Sequence, residues 1–211
     1  MLILLTGEPG VGKSTVLMRL VDMLREEGIS VGGVVAREVR DAGKGRVGFE
    51  FVDVIDGSSA RLASLSSSTV EAGGGIEGPR IGKYSVDLDG CRIAAMMLLR
   101  AINSSSKVVV FDEIGPMELL SSDIVDALRA LLDAVSSSSS SSSSKSINSS
   151  KNRSSSSILA TIVVIHKRFK HWIISRYREM ASIVIEVNRD NRDALPSMLL
   201  SIINYKWDKV R

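Results

Sequence analysis

Between the apolar run Leu2 to Leu5 and an amphipathic stretch that begins near Val16, the chain reads Gly7-Glu8-Pro9-Gly10-Val11-Gly12-Lys13-Ser14. The spacing is G-x-x-x-x-G-K-[ST], in its required context of strand, turn and helix. With glycine near 7% of residues and comparable guesses for the other fixed positions, a chance match over a chain of this length falls below about 1%. The octet therefore constrains the fold more than any other feature. The chain has to leave a buried strand through a glycine turn and enter a helix at once. Val16, Leu17, Leu20, Val21 and Leu24 share one face of that helix, and Gly28 stops it.

Each residue type in the turn has a chemical reason. Glycines let successive backbone N–H groups curl inward as an anion nest, and the helix N-terminus adds its positive dipole end. The nine residues Gly7, Glu8, Pro9, Gly10, Val11, Gly12, Lys13, Ser14 and Thr15 are thus expected to cradle the phosphates of a nucleotide. Lys13 reaches the β- and γ-phosphates as a point charge and neutralises the charge that develops in reaction. Ser14 offers a hydroxyl to Mg²⁺, a hard cation that prefers oxygen ligands and keeps several waters.

A second apolar strand, Lys107 to Phe111, ends in Asp112-Glu113. A parallel sheet presents such strand ends on the same edge as the first strand–helix turn. Asp112 is therefore expected to hold the Mg²⁺, directly or through water. Glu113, pointing elsewhere on an extended backbone, can orient a water in line with the γ-phosphate and take its proton. A carboxylate poised there favours hydrolysis, whereas a kinase has to exclude water.

Four continuous apolar runs, Met1 to Leu5, Lys107 to Phe111, Ile158 to Ile165 and Ile183 to Val187, have the length of buried strands. Helical patterns lie between and after them, at 91–102, from Ser122 or Asp123 to about Val135, at 170–180 and at 194–205, the last with Asp193 as its cap. Alternation of this kind predicts an α/β fold, a mainly parallel sheet with helices on both faces. Residues 34–39, 47–55 and 60–65 break the rhythm and read as an antiparallel meander attached to the sheet's edge, with Gly43, Gly45 and Gly57 in the turns. Sixteen serines among residues 136–157 offer almost nothing apolar to offset ordering entropy. That stretch is expected to be a flexible surface insertion in a single domain spanning 1–211.

Composition narrows the function. One cysteine, Cys91, excludes an intramolecular disulfide scaffold and a cysteine-based zinc site. No apolar run reaches the 18 or more residues of a membrane span, and Leu2 to Leu5, followed at once by Thr6 and Gly7, is expected to be structural and not a leader. A cytoplasmic enzyme without membrane partners is expected. Residues 1–135 carry 14 basic against 19 acidic side chains, a net −5, while residues 136–211 carry 13 against 5, a net +8. A solvated basic face is preferred over a nucleic-acid footprint as the reading of that excess. Arg80, Lys83 and the trio His166, Lys167 and Arg168 are weaker candidates for phosphate contact. Trp172, Tyr177, Tyr205 and Trp207 read as packing rather than as base-stacking residues. The chain has no Asn-Lys-x-Asp run to read guanine, so weak base discrimination is expected.

Four blocks carry a resemblance: Gly7 to Thr15, Gly78 to Asp87, Asp112-Glu113-Ile114-Gly115-Pro116-Met117-Glu118-Leu119, and Asn191 to Pro196. In this order they resemble the signature blocks of the thermophile nucleoside-triphosphatases, called cancer-related nucleoside-triphosphatases in animals. The resemblance implies a three-layer, RecA-like P-loop fold and slow, Mg²⁺-dependent hydrolysis of several nucleoside triphosphates, ATP and GTP among them, to diphosphate and phosphate. It extends the nucleotide contacts to Asp112, Glu113, Ile114 and Gly115. Pro116 stands where many members have lysine, so no lysine role transfers there. The expected enzyme is thus a triphosphatase with Lys13 and Glu113 as catalytic residues and Ser14 and Asp112 as Mg²⁺ ligands. A small-molecule or nucleotide kinase and a nucleotide-dependent RNA-binding switch are its rivals.

Overall fold

The computed structural model describes residues 1–43, 45–65, 78–140 and 158–209. Most of the serine-rich stretch, 141–157, and the glycine-rich residues 73–77 lie outside the described residues. The chain order is β1 (Leu2–Thr6), α1 (Lys13–Glu26), β2 (Val31–Asp41), β3 (Gly45–Asp53), β4 (Ser59–Leu65), β5 (Arg80–Ile81), β6 (Tyr84–Val86) and α2 (Leu88–Asn103). There follow β7 (Val108–Ile114), a 3-10 turn over Glu118–Leu120, α3 (Ser122–Ser140), β8 (Ala160–Ile165), α4 (Trp172–Met180), β9 (Ile183–Glu186) and α5 (Leu195–Asp208).

Among the described residues all nine strands form one sheet in the order β5-β6-β4-β3-β2-β7-β8-β1-β9. From β2 to β9 the neighbours are parallel, and from β2 to β5 they are antiparallel. β2 belongs to both halves. Its first residues pair with β7 in parallel, Val31 with Val108 and Val34 with Phe111, and the rest pairs antiparallel with β3. The expected α/β sheet with an antiparallel meander on its edge is therefore the fold observed.

Side-chain alternation builds the three layers. Leu2, Leu4, Val109, Phe111 and Val163 join α2, α3 and α4 in one apolar cluster. Ile3, Leu5, Val108, Val110, Ile162 and Val164 join α1 and α5 in the other. A strand covered on both faces has to be apolar at every position, which is why these runs are continuous. Cys91 is wholly buried in the first cluster, and burial pushes its thiol up to about 12.

Several local expectations are corrected. Ser121, not Ser122 or Asp123, caps α3: its hydroxyl accepts from the Ile124 N–H at 3.4 Å. α3 continues to Ser140 instead of ending near Val135, with the Ser136 and Ser137 hydroxyls donating to the Leu132 and Asp133 carbonyls one turn back. Asp193 does not cap α5; its carboxylate pairs with Arg19 at 3.4 Å, and Ala194 opens the helix without a side-chain cap. The short β5–β6 hairpin, turned at Gly82, was not anticipated by any strand pattern.

Candidate active site

Gly7 to Ser14 connect the end of β1 to the start of α1 as expected. Gly7 has a φ of 152° and lies so close to β9's end that a Cβ there would come 2.6 Å from the Val187 carbonyl oxygen. Gly12, at φ 107°, opens α1 with no side chain capping its amides, so the first-turn N–H donors remain free for a ligand. Lys13 is only 7% exposed. Its Nζ donates to the Gly7 and Glu8 carbonyls at 3.3 Å each and lies 3.6 Å from Glu113 Oε2.

The carboxylates come from β7, two strands away, with β8 between. β7 and β8 fall out of step between Phe111 and Ile114, where Asp112 and Glu113 stand opposite a single β8 residue. Such a bulge re-aims side chains, and here both carboxylates reach one cleft in place of the simple alternation expected from an extended strand. Asp112 is 1% exposed, and neither carboxylate oxygen has a hydrogen-bond partner among the described residues. Burial pushes its carboxyl up to about 7; the nearby Ser14 hydroxyl and Lys13 pull the other way, and the Glu113 charge adds to the rise. A buried carboxylate with two orphaned oxygens beside a serine hydroxyl fits a hard divalent cation such as Mg²⁺.

The cleft measures about 1010 Å³ and is lined by the glycine loop, Asp112, Glu113, Gly115, Pro116 and Glu118, the β8 end at His166, Lys167 and Arg168, and a far wall from the antiparallel strands. On that wall the Arg46 guanidinium lies over the Phe49 ring, 5.1 Å from its centroid, and is held by Glu38 and the Tyr84 hydroxyl. Two side chains of the expected nucleotide set are engaged in packing. Ile114 is wholly buried, and Val11 packs against the α1 cluster. Arg80 and Lys83 do not line the cleft. The four aromatics do not either: Tyr177 is buried with its hydroxyl on the Leu128 carbonyl, and Trp172 lies against Arg129.

Two functional candidates were not singled out from sequence. Glu118 is buried, accepts from the Gly115 N–H at 3.1 Å, and is pushed up to about 8 by burial, with the Glu113 and Asp112 charges adding to the rise. Arg192 donates to the Val11 carbonyl at 3.4 Å and flanks the glycine loop. Their only signal was membership in the Asp112 and Asn191 blocks. Glu8 meanwhile accepts from Lys167 at 3.1 Å and Arg168 at 2.8 Å, and these cations hold its carboxyl below the usual range.

A family model described as NTPase matches residues 2–139. The Nucleoside-triphosphatase THEP1 of Methanopyrus kandleri is 35% identical over 200 residues, covering 94% of this chain and 92% of the relative. The Cancer-related nucleoside-triphosphatase homolog of Mus musculus is 37% identical over 134 residues, 62% of this chain and 68% of its own length. Among solved structures, a human cancer-related nucleoside triphosphatase superposes with a TM-score of 0.66 at 27% identity, covering 95% of this chain and 96% of that one. The crystal structure of THEP1 from the hyperthermophile Aquifex aeolicus gives 0.67 at 24% identity, covering 96% and 99%. It speaks for the fold alone. No helix among the described residues is long and apolar enough to cross a membrane.

Proposed function

The chain belongs to the nucleoside-triphosphatase family, and from that premise we propose that its cleft is a broad-specificity, Mg²⁺-dependent site hydrolysing ATP, GTP and other nucleoside triphosphates to diphosphate and phosphate. One observation carries the reading: the partnerless, buried Asp112 carboxylate beside the loop whose Lys13 already meets Glu113 at 3.6 Å.

Gly7 to Thr15 bind the phosphates through loop amides and the open end of α1. Lys13 exchanges its two carbonyl partners for β- and γ-phosphate oxygens. Ser14 and Asp112 hold Mg²⁺, which when bound neutralises phosphate charge and orients the triphosphate. Glu113 orients a water behind the terminal phosphorus. As the water oxygen bonds to phosphorus and the bridging P–O bond breaks, Glu113 takes the water's proton and the diphosphate leaves with the bond's electrons. The chain has no Asn-Lys-x-Asp run to read guanine, which supports broad base use.

A second reading, transfer to an acceptor hydroxyl, draws on the cleft's extension past the carboxylates to Arg46, Phe49 and Leu62. The test is phosphate release from ATP, GTP, CTP and UTP with Mg²⁺, wild type against Glu113→Gln, with nucleotide binding scored in parallel. Release from all four, lost in the variant while binding persists, is expected. ADP formed without free phosphate favours transfer, and binding without turnover overturns the hydrolytic reading.

A further inference from the structure

The strand between the glycine loop and the carboxylates leads directly into a histidine, and we infer that this residue, His166, presents its Nε2–H as a hydrogen-bond donor to the terminal phosphoryl group. This rests on the triphosphatase reading above.

Sheet order sets its position. β8 lies between β1 and β7; Leu5 pairs with Val164, and Ile114 with Ile165. His166 therefore leaves its strand level with the start of the glycine loop on one side and the acidic bulge on the other, and its N–H donates to the Ile114 carbonyl at 3.0 Å. The ring is then oriented by its own turn. Nδ1 accepts from two backbone donors, the Phe169 N–H at 2.9 Å and the Arg168 N–H at 3.2 Å. A ring nitrogen accepting N–H groups bears no proton, so the neutral imidazole carries its hydrogen on Nε2. The Phe169 ring meets it edge-on at 6.3 Å. His166 lines the cleft, and Nε2 has no partner among the described residues. The neighbouring cations are already engaged, Lys167 and Arg168 both on Glu8. What remains is a donor on a ring fixed by its own turn and lining the cleft, where on the triphosphatase reading negative charge grows on the phosphoryl oxygens. Such a donor works without reorganising, and removing one costs about 10²- to 10³-fold in kcat. His166 keeps its proton throughout; Glu113 takes the water's.

His166→Asn separates this role from a structural one. The asparagine Oδ1 can replace Nδ1 as acceptor for the two turn amides, but nothing replaces the Nε2 donor. The expected result is a fall in kcat of about 10²-fold, with KM, binding of the imido analogue of ATP and Tm near wild type. His166→Gln, whose amide nitrogen reaches the Nε2 position, is expected to recover part of the rate. Long-range ¹H–¹⁵N correlation spectra should show the Nε2–H tautomer in the free protein and a shifted Nε2 resonance once the imido analogue and Mg²⁺ are added. Normal kcat in His166→Asn overturns the inference, and so does an Nδ1–H tautomer. Glu113→Gln run alongside tells the two readings apart. If the wild type turns over and Glu113→Gln does not, a normal His166→Asn sinks the histidine alone. A wild type that releases no phosphate sinks the triphosphatase reading and this inference with it.

Discussion

The parallel half of the sheet and its antiparallel extension share β2 but bury themselves by different rules. In the parallel half β1, β7 and β8 are covered on both faces, while the edge strand β9 leaves Val184 and Glu186 exposed, and the backbone ends converge on one edge, where the loop after β1, the bulge of β7 and the end of β8 meet. In the extension the outer residues of β2 and β3 are exposed and held by ion pairs, Arg37 with Glu50 and Glu38 with Arg40 and Arg46. The contrast teaches where chemistry can be placed. Groups in the parallel half are desolvated and sterically fixed, so small displacements matter. The extension contributes a wall whose outer residues are held by solvent-exposed ion pairs.

The most severe test is at the chemistry. Glu113→Gln is expected to cut turnover by about 10³-fold, about 4 kcal/mol of transition-state stabilisation, with the Kd for the imido analogue of ATP little changed. Near-normal turnover would break the assignment of chemistry to the β7 edge. Next comes packing: Leu4→Ala, at a fully buried position of β1, should lower unfolding free energy by about 2–5 kcal/mol in urea melts.

A pH effect follows from Glu118. Its folded carboxyl titrates at about 8 against the ordinary 4.5, so the folded chain binds the proton more tightly than the unfolded one. Stability of the nucleotide-free protein in EDTA should therefore fall as pH rises from about 4.5 to about 8. This one group can contribute a slope of at most about 1.4 kcal/mol per pH unit. Asp112, raised to about 7, acts in the same direction. Glu118→Gln should flatten the profile; a profile that rises through this window would contradict the burial of both groups. The smallest effect belongs to the extension. Arg37→Ala, removing an exposed pair to Glu50, should shift stability by less than about 1 kcal/mol and leave kcat near wild type. A large loss there would mean that the extension is part of the working site and not only its wall.

Much of the parallel half was legible in the chain because its signals are local. A covered strand has to be apolar throughout, a helix shows its face every three to four residues, and the glycine spacing of the loop admits few alternatives. Hence β1, β7, β8 and β9 lie within a few residues of the bounds that their apolar runs imply, as does the meander. The convergence of the candidate site was legible by motif, since Lys13, Ser14, Asp112 and Glu113 line one cleft. It was less legible where a residue acts through distant partners. Glu118 looks like any acid after a strand, Arg192 like any surface cation, and the short β5–β6 hairpin leaves only two and three residues of pattern.

By itself, then, the sequence determined that a buried strand feeds a phosphate-type loop and a helix, that a second apolar strand ends in acid, and that a parallel sheet brings such ends to one edge. Tertiary structure decided the rest. It placed β8 between the two motif strands, inserted the bulge that turns Asp112 and Glu113 into one cleft, buried Asp112 and Glu118, and tied His166 Nδ1 to its own turn. Strand order, register and desolvation depend on contacts between residues far apart in the chain, and no local pattern of residue types encodes them.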